Sequence, residues 1–219
     1  TLDEIRAIRA AAPTIELETF VHGALCVSYS GQCYLSYAIG GRSGNRGECA
    51  QPCRRVYSLV DREGKVLVKN RHLLSLRDLN LSAAIPELLD AGVTSFKIEG
   101  RLKDQTYVTN VVSAYRERID AALGERGLHR SSSGTSTIGF TPDLSKTFNR
   151  GYTTYFLHGR DESPGSIETP KMVGEPIGKA RRVRPRQMTL ERSAIELHNG
   201  DGLCWFDPAG GLQCSVVSA

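Results

Sequence analysis

The sequence contains no apolar run of the length that a membrane-spanning helix needs. Its first residues, TLDEIRAIRAAAP, form neither a signal peptide nor a transit peptide, and these absences predict a cytoplasmic protein with no membrane partner. There is also no initiator methionine. The chain begins at a helix cap, with Thr1 followed three residues later by Glu4, so we expect a piece of a longer polypeptide.

Two protease motifs are missing as well: the His-Glu-x-x-His helix of zinc proteases and the Gly-x-Ser-x-Gly elbow of serine hydrolases. Their absence leaves one arrangement for nucleophilic catalysis, Cys26 four residues after His22. A thiol nucleophile needs a base and an orienting group around it in space. One histidine nearby in sequence therefore supports a cysteine peptidase only weakly.

Four of the six cysteines lie in one glycine-rich segment, CVSYSGQCYLSYAIGGRSGNRGECAQPC: Cys26, Cys33, Cys49 and Cys53. The segment lacks the paired two-residue spacings of zinc ribbons and the compact run of bacterial ferredoxins. Four thiolates nonetheless suit either a tetrahedral zinc ion or an iron-sulfur cluster, and disulfides are uncommon in the cytosol. We therefore expect the four sulfurs to converge on one metal site. Four arginines lie in or beside the segment and would compensate thiolate charge: Arg42, Arg46, Arg54 and Arg55.

The remaining cysteines, Cys204 and Cys214, occupy strand-like positions near the end of the sequence. We expect them to be ordinary buried free cysteines.

An alternation of helix and strand patterns predicts an α/β fold. We expect residues 1–124 to form the C-terminal half of a TIM-type barrel that carries the cysteine segment, with parallel strands at 15–21 and 93–98. Residues 125–136 are serine-rich and predict a linker. Short strands divided by Gly, Pro and Asn-Gly turns predict a small, incomplete antiparallel β-barrel over 137–219. Bare barrel edges would be covered by a second copy of the chain, as a homo-oligomer.

Charged residues at strand ends are further candidates for catalysis. Lys97, Glu99 and Arg101 follow one face of VTSFKIEGR, and Glu18 and His22 lie on the earlier strand. Charged residues at the carboxyl end of a barrel strand are typical of active sites. A structural ion pair explains the first group equally well, and a hydrogen-bonded pair supporting the cysteine segment explains the second.

A basic run occupies residues 179–192, KARRVRPRQMTLER, with Glu191 as its single acid. It fits a solvated strand face or a contact with a phosphate backbone, although the net charge of +4 is small. The candidate RNA-binding residues are Arg181, Arg182, Arg184 and Arg186.

The stretch ELETFVHGALCVSYSGQCYLS resembles the signature of the bacterial collagenase-like peptidase family of unassigned catalytic type, with a Glu, a Phe, a Gly and two cysteines separated by six residues. Within that family, GGRSGNRGECAQPCR is most similar to the branch of ribosomal RNA 5-hydroxycytidine synthases and less similar to the tRNA 5-hydroxyuridine synthases. The resemblance continues through FKIEGRLKDQTYV and FNRGYTTYFLHG and covers nearly the whole chain.

This resemblance implies a TIM-type barrel followed by smaller β domains. It also implies a 4Fe-4S cluster on the four clustered cysteines, with zinc as a substitute, and prephenate or a related small anion as a partner of the hydroxylation. The function that it favours is hydroxylation of ribosomal RNA by an iron-sulfur enzyme. A collagenase-like peptidase and a noncatalytic RNA-binding module are the alternatives.

Overall fold

The computed structural model of the protein describes residues 1–29, 32–160, 163–184, 187–191 and 195–218. Arg186, one of the predicted RNA-binding residues, lies outside this part of the chain. The helices are α1 (Leu2–Ala11), α2 (Leu35–Gly40), α3 (Ile85–Asp90) and α4 (Gln105–Glu125). The strands are β1 (Glu18–Ala24), β2 (Tyr57–Val60), β3 (Val66–Arg71), β4 (Asp78–Asn80), β5 (Ser95–Ile98), β6 (Tyr152–Thr153), β7 (Ala180–Arg184), β8 (Gln187–Leu190), β9 (Gly202–Phe206) and β10 (Leu212–Val216).

A four-stranded mixed sheet in the order β5-β1-β4-β6 supports the site described below. Strand β1 runs parallel to β5, with Glu18 opposite Ser95, as the sequence predicted for the strands at 15–21 and 93–98. The observed β1 is displaced by three residues toward the C-terminus. On its other edge β1 pairs antiparallel with β4, which in turn runs parallel to β6.

A glycine allows β1 to end close to the residue that follows β5. Gly23 has a φ of 112°, and a Cβ atom at this position would lie 2.7 Å from the Cβ of Glu99. An L-amino acid with a side chain is strained in this conformation and would also collide with Glu99. The close approach therefore requires glycine.

Helix α4 covers the sheet because its buried residues recur every three or four positions, which is one face of a helix. These residues are Tyr107, Asn110, Val111, Ala114, Tyr115 and Ala122. The helix begins at Asp104, whose carboxylate accepts a hydrogen bond from the Tyr107 amide at 2.7 Å. Deep in the core, the Tyr115 hydroxyl donates to the carbonyl of Val21 at 2.8 Å, which ties α4 to β1.

The other strands form three separate two-stranded hairpins, β2-β3, β7-β8 and β9-β10. The α/β class is therefore confirmed, but none of the described sheets closes into a barrel. In the central sheet, the antiparallel β4 breaks the all-parallel order of a TIM-type barrel. The predicted small barrel is likewise not seen in the described residues, because β7-β8 and β9-β10 belong to different sheets. The linker at 125–136 and the domain boundaries stay predictions.

Apolar side chains remain exposed on α4 and on the β2-β3 hairpin, among them Val108, Val112, Val60 and Leu67. Their coverage by a second copy stays a prediction. None of the helices in the described ranges is both long and apolar enough to cross a membrane.

Candidate functional site

A cavity of about 870 Å³ lies between the cysteine segment, the start of α4 and residues 148–150. Its lining includes all four cysteines of that segment, which the structure thereby brings together: Cys26, Cys33, Cys49 and Cys53. All four are free thiols, with Cys26 exposed and the other three half-buried.

Tight turns direct these thiols toward the cavity. Cys26 follows the end of β1, and α2 ends at Gly41 in the left-handed conformation, φ 71°. Cys49 and Cys53 flank Gln51, which adopts a left-handed conformation with φ 55° before the short 3₁₀ turn Pro52–Arg54. The Gln51 amide donates to the Cys49 sulfur at 3.3 Å. Such an amide-to-sulfur bond stabilises a thiolate or a metal-bound sulfur.

Arg54 anchors the last cysteine of the segment to the sheet. Its guanidinium donates to the Ser75 hydroxyl at 2.8 Å, to the carbonyl of Leu25 at 3.2 Å and to the carbonyl of Leu76. Burial raises the pKa of the adjacent Cys53 thiol, the Arg54 charge opposes that rise, and the other three thiols reinforce it. Cys53 is therefore close enough to Cys26, Cys33 and Cys49 for their charges to affect its pKa.

Four thiols are the donor set of either a 4Fe-4S cluster or a tetrahedral zinc ion. A tetrahedral zinc ion with bonds of about 2.3 Å requires its four sulfurs to lie roughly 3.8 Å apart. Within the described ranges, no three His, Cys, Asp or Glu residues are arranged to hold one metal ion. A 4Fe-4S cubane needs a wider set, because each thiolate binds a different iron atom.

Of the three candidate catalytic residues at the end of β5, two line the cavity and one does not. Glu99 and Arg101 line the cavity, and the Arg101 amide donates to the Glu99 carboxylate at 3.1 Å. Lys97 is exposed, lies opposite Phe20 in the sheet and does not line the cavity. The alternating sequence pattern placed these three residues on one face of a strand. Because β5 ends at Ile98, only Lys97 lies on the strand, and the other two follow it in the turn.

Two cations and an aromatic ring that sequence reasoning missed also line the cavity. The Lys103 ammonium lies 3.4 Å from the ring centroid of Phe148, and the Arg150 guanidinium lies 4.6 Å from it. Burial lowers the pKa of Lys103. The stretch FNRGYTTYFLHG carried the family resemblance, but its spacing gave no sign that Phe148 and Arg150 reach the cysteines.

Arg150 is held by a buried ion pair with Asp78. The Arg150 side chain donates to Asp78 at 2.9 Å, and the Arg150 amide donates to the other oxygen of the same carboxylate, also at 2.9 Å. Their side chains are only 10% and 4% exposed. Asp78 therefore neutralises and orients Arg150 at the cavity wall.

His22 and Glu18 do not form the predicted pair. The Glu18 carboxylate accepts a hydrogen bond from the Ser95 hydroxyl at 2.9 Å, at the start of β1. His22 is 1% exposed, and its Nδ1 lies 3.3 Å from the Tyr115 hydroxyl. Its Nε2 has no hydrogen-bond partner, and its pKa is lowered to about 4, first by burial and then by Lys103. Neither residue lines the cavity, so His22 is not set as a base for Cys26.

The described arginines of the basic run lie on strand β7. Arg181, Arg182 and Arg184 are all exposed, on a hairpin with β8. Because side chains alternate along a strand, Arg182 and Arg184 share one face.

Cys204 and Cys214 are free, as predicted, but the prediction that they are buried is wrong. Both are exposed, because the β9-β10 hairpin that carries them is not part of a larger sheet.

The chain is similar in sequence to several known proteins. The chain is 48% identical to the 23S rRNA 5-hydroxycytidine C2501 synthase of Escherichia coli (strain K12) over 203 residues, which is 92% of this chain and 31% of that protein. It is 37% identical to the tRNA hydroxylation protein P1 of Bacillus subtilis (strain 168), over 78% of this chain and 40% of that protein. It is 35% identical to a collagenase of Porphyromonas gingivalis, over 93% of this chain and 56% of that protein.

The chain thus spans between 31% and 56% of the length of these three relatives. No solved structure matches it significantly. A family model matches residues 1–166, which include the cysteine segment, the central sheet and the whole lining of the cavity. The chain therefore belongs to Peptidase family U32, the family predicted from its cysteine segment.

Proposed function

We propose that this chain is the cluster-binding part of an RNA hydroxylase that forms 5-hydroxycytidine in large-subunit ribosomal RNA. The observation that carries the proposal is the lining of one cavity by four free thiols, in a chain 48% identical to a 23S rRNA 5-hydroxycytidine synthase. Such an enzyme would act in the cytoplasm, where ribosomal RNA is made and used.

In this proposal the four cysteines hold a 4Fe-4S cluster, and zinc would be a substitute for it. When bound, the cluster supplies redox and Lewis-acid chemistry at the cavity. The protein contributes the surroundings: the Gln51 amide donates to Cys49, and the Arg54 guanidinium offsets negative charge beside Cys53. Both interactions stabilise charged sulfur.

The cations that line the cavity suit a small anion such as prephenate. Arg101, Lys103 and Arg150 all line the cavity, and Asp78 offsets only Arg150 directly. Lys103 lies over the ring of Phe148 in a half-buried setting, where a carboxylate would be bound more strongly than in water. The cations would hold the anion, while Phe148 would contact an apolar ring.

We expect the barrel that this chain does not close to be completed by the rest of the protein. Since the chain spans 31% of its synthase relative, we propose that the rest of the polypeptide supplies further parallel strands, which build a TIM-type barrel from the parallel pair β5 and β1. In that arrangement, residues 1–124 belong to the barrel and 137–219 to a smaller β-rich domain.

The exposed arginines of β7 are proposed to contact the phosphate backbone of the RNA. Substitution of Arg182 and Arg184 together by glutamine should then reduce the slope of log affinity against log salt by about one to two units. A control that removes the same charge from exposed arginines elsewhere, Arg6→Gln with Arg62→Gln, should leave the slope unchanged. Equal slopes for the two double variants would remove β7 from the RNA site.

The cluster is tested by iron and sulfide analysis of the full-length protein purified without oxygen. We expect about four iron atoms and four sulfides per chain. Cys33→Ser should lose most of that iron and all hydroxylation while still binding ribosomal RNA, whereas the matched control Cys214→Ser should keep all three properties. Stoichiometric zinc with no sulfide would contradict the cluster.

A peptidase is the second candidate, because one relative is a collagenase at 35% identity. The geometry gives it little support, since the partner of the His22 ring is Tyr115 and not a thiol. A peptidase that uses Cys26 predicts that metal-free protein cleaves gelatin and that Cys33→Ser keeps this activity. That result would replace the hydroxylase proposal. If the protein binds RNA but neither hydroxylates RNA nor cleaves gelatin, the third alternative, a noncatalytic RNA-binding module, would be supported.

A further inference from the structure

The β9-β10 hairpin carries two thiols in direct contact. Cys204 on β9 lies opposite Cys214 on β10, and their sulfurs are 2.7 Å apart. Both residues are exposed, and neither lines the cavity of the four clustered cysteines. The hairpin therefore presents a second sulfur site with a chemistry of its own.

The hydrogen-bond pattern of the hairpin explains why these sulfurs meet. The Asp207 amide donates to the carbonyl of Gly211, and the Val217 amide donates to the carbonyl of Asp201. In an antiparallel pair, hydrogen-bonded and non-hydrogen-bonded positions alternate along each strand. Counting inward from both ends places Cys204 and Cys214 at a non-hydrogen-bonded position.

At such positions the Cα atoms lie about 4.5 Å apart and the side chains approach most closely. That spacing is within the range of about 4.4–6.8 Å that a disulfide spans. Closing the observed sulfur separation of 2.7 Å to a bond of about 2.05 Å needs a movement of roughly 0.7 Å. The backbone of the hairpin can therefore remain as it is when the bond forms.

We propose that Cys204 and Cys214 form a reversible disulfide across the β9-β10 hairpin, with a small disulfide such as oxidised glutathione as the oxidant. One thiolate attacks the glutathione disulfide and releases a first glutathione thiolate, which takes up a proton. The second cysteine then gives up its proton, attacks the mixed disulfide and releases the second glutathione. Two cysteine thiols are oxidised to one disulfide, and one glutathione disulfide is reduced to two thiols.

Either thiol can make the first attack, because both are exposed to the oxidant. Exposure of both sulfurs leaves the bond open to reduction, as in disulfides that are made and broken reversibly.

The bond is tested by peptide mapping of the purified 219-residue chain. The protein is equilibrated with reduced and oxidised glutathione, its free thiols are alkylated in denaturant, and it is cleaved on the amino side of aspartate. This cleavage puts Cys204 in the peptide 201–206 and Cys214 in the peptide 207–219. We expect the two peptides to remain joined, about 2 Da lighter than their sum, until a reductant separates them.

Single-cysteine variants provide the control. Cys204→Ser and Cys214→Ser should each carry one glutathione on the remaining thiol and give no joined peptides. If the unaltered chain also carries separate glutathiones on Cys204 and Cys214, or if either is joined to one of the four clustered cysteines, the proposal is wrong.

Trp205 gives an independent optical measurement, because it is the single tryptophan of the sequence and adjoins Cys204. A disulfide quenches the fluorescence of a neighbouring indole, so emission should fall as the glutathione buffer becomes more oxidising and recover on reduction. The Cys214→Ser variant should show no such cycle. A fluorescence change that is the same in both proteins would contradict a bond between these two sulfurs. Neither the peptide mapping nor the fluorescence measurement depends on iron or RNA. The disulfide proposal can therefore be refuted without refuting the hydroxylase proposal.

Discussion

His22 makes the stability of this protein sensitive to acid. Its pKa is lowered from the ordinary value of 6.5 to about 4, first by burial and second by the charge of Lys103. The unfolded chain therefore takes up a proton on this histidine before the folded chain does. Stability from a neutral buried His22 is present above pH 6.5 and is lost as the pH falls toward 4.

Linkage gives the size of the effect. With these two values, protonation of His22 in the unfolded chain lowers the free energy of unfolding by about 2 kcal/mol between pH 7 and pH 5. Other groups titrate in the same range, so the effect must be isolated by a difference between two proteins. His22→Phe keeps a ring against Tyr107, Tyr115 and Tyr152, which surround the imidazole at centroid distances of 5.4–6.1 Å.

The assay is urea unfolding followed by circular dichroism, on metal-free reduced protein at pH 7 and pH 5. The unaltered chain should lose about 2 kcal/mol more than His22→Phe over this interval. The exposed His129 provides the control, and His129→Phe should behave like the unaltered chain. If the unaltered chain and His22→Phe lose the same stability to within about 0.5 kcal/mol, the imidazole is not held neutral by burial and the reasoning fails.

Two further predictions concern the frame of the cavity. Asp78→Asn leaves the Arg150 guanidinium buried without its counter-charge, so we expect a loss of about 3–5 kcal/mol in urea unfolding, against less than about 1 kcal/mol for the exposed control Asp3→Asn. Similar losses for both would mean that water screens the buried pair. Gly23→Ala should cost about 3 kcal/mol or more, because the new methyl group meets the Cβ of Glu99 at 2.7 Å in a strained backbone conformation. An unchanged unfolding midpoint would show that the two strands separate without cost.

The features that could be predicted from the sequence are local ones. The parallel partners β1 and β5 stand out because each has a short β-forming pattern next to a helix or a turn. The cysteine segment stands out because four thiols among glycines are unusual at that density. Strand β4 could not be predicted, because it has only three residues and takes its conformation from pairing with β1.

The wrong and missing parts of the site depend on distant contacts. The alternating pattern put His22 on the polar face of its strand with Glu18, but tyrosines from α4 and β6 bury it. Phe148 and Arg150 reach the cavity only because β6 pairs with β4, and no local pattern reports that pairing. Lys103 is likewise placed by the turn before α4 and not by any periodicity.

The order in which the cavity walls leave the ribosome has a consequence for assembly of the proposed cluster. The thiols end at Cys53, whereas the far wall includes Phe148 and Arg150. At a synthesis rate of about 5–20 residues per second, the cysteines are complete roughly 5–20 s before that wall exists. A nascent chain thus offers four unprotected sulfurs to oxygen and stray metals during this interval. If these sulfurs hold the proposed cluster, the cell that makes this protein would have to keep iron from binding before the wall forms, or correct the binding afterwards.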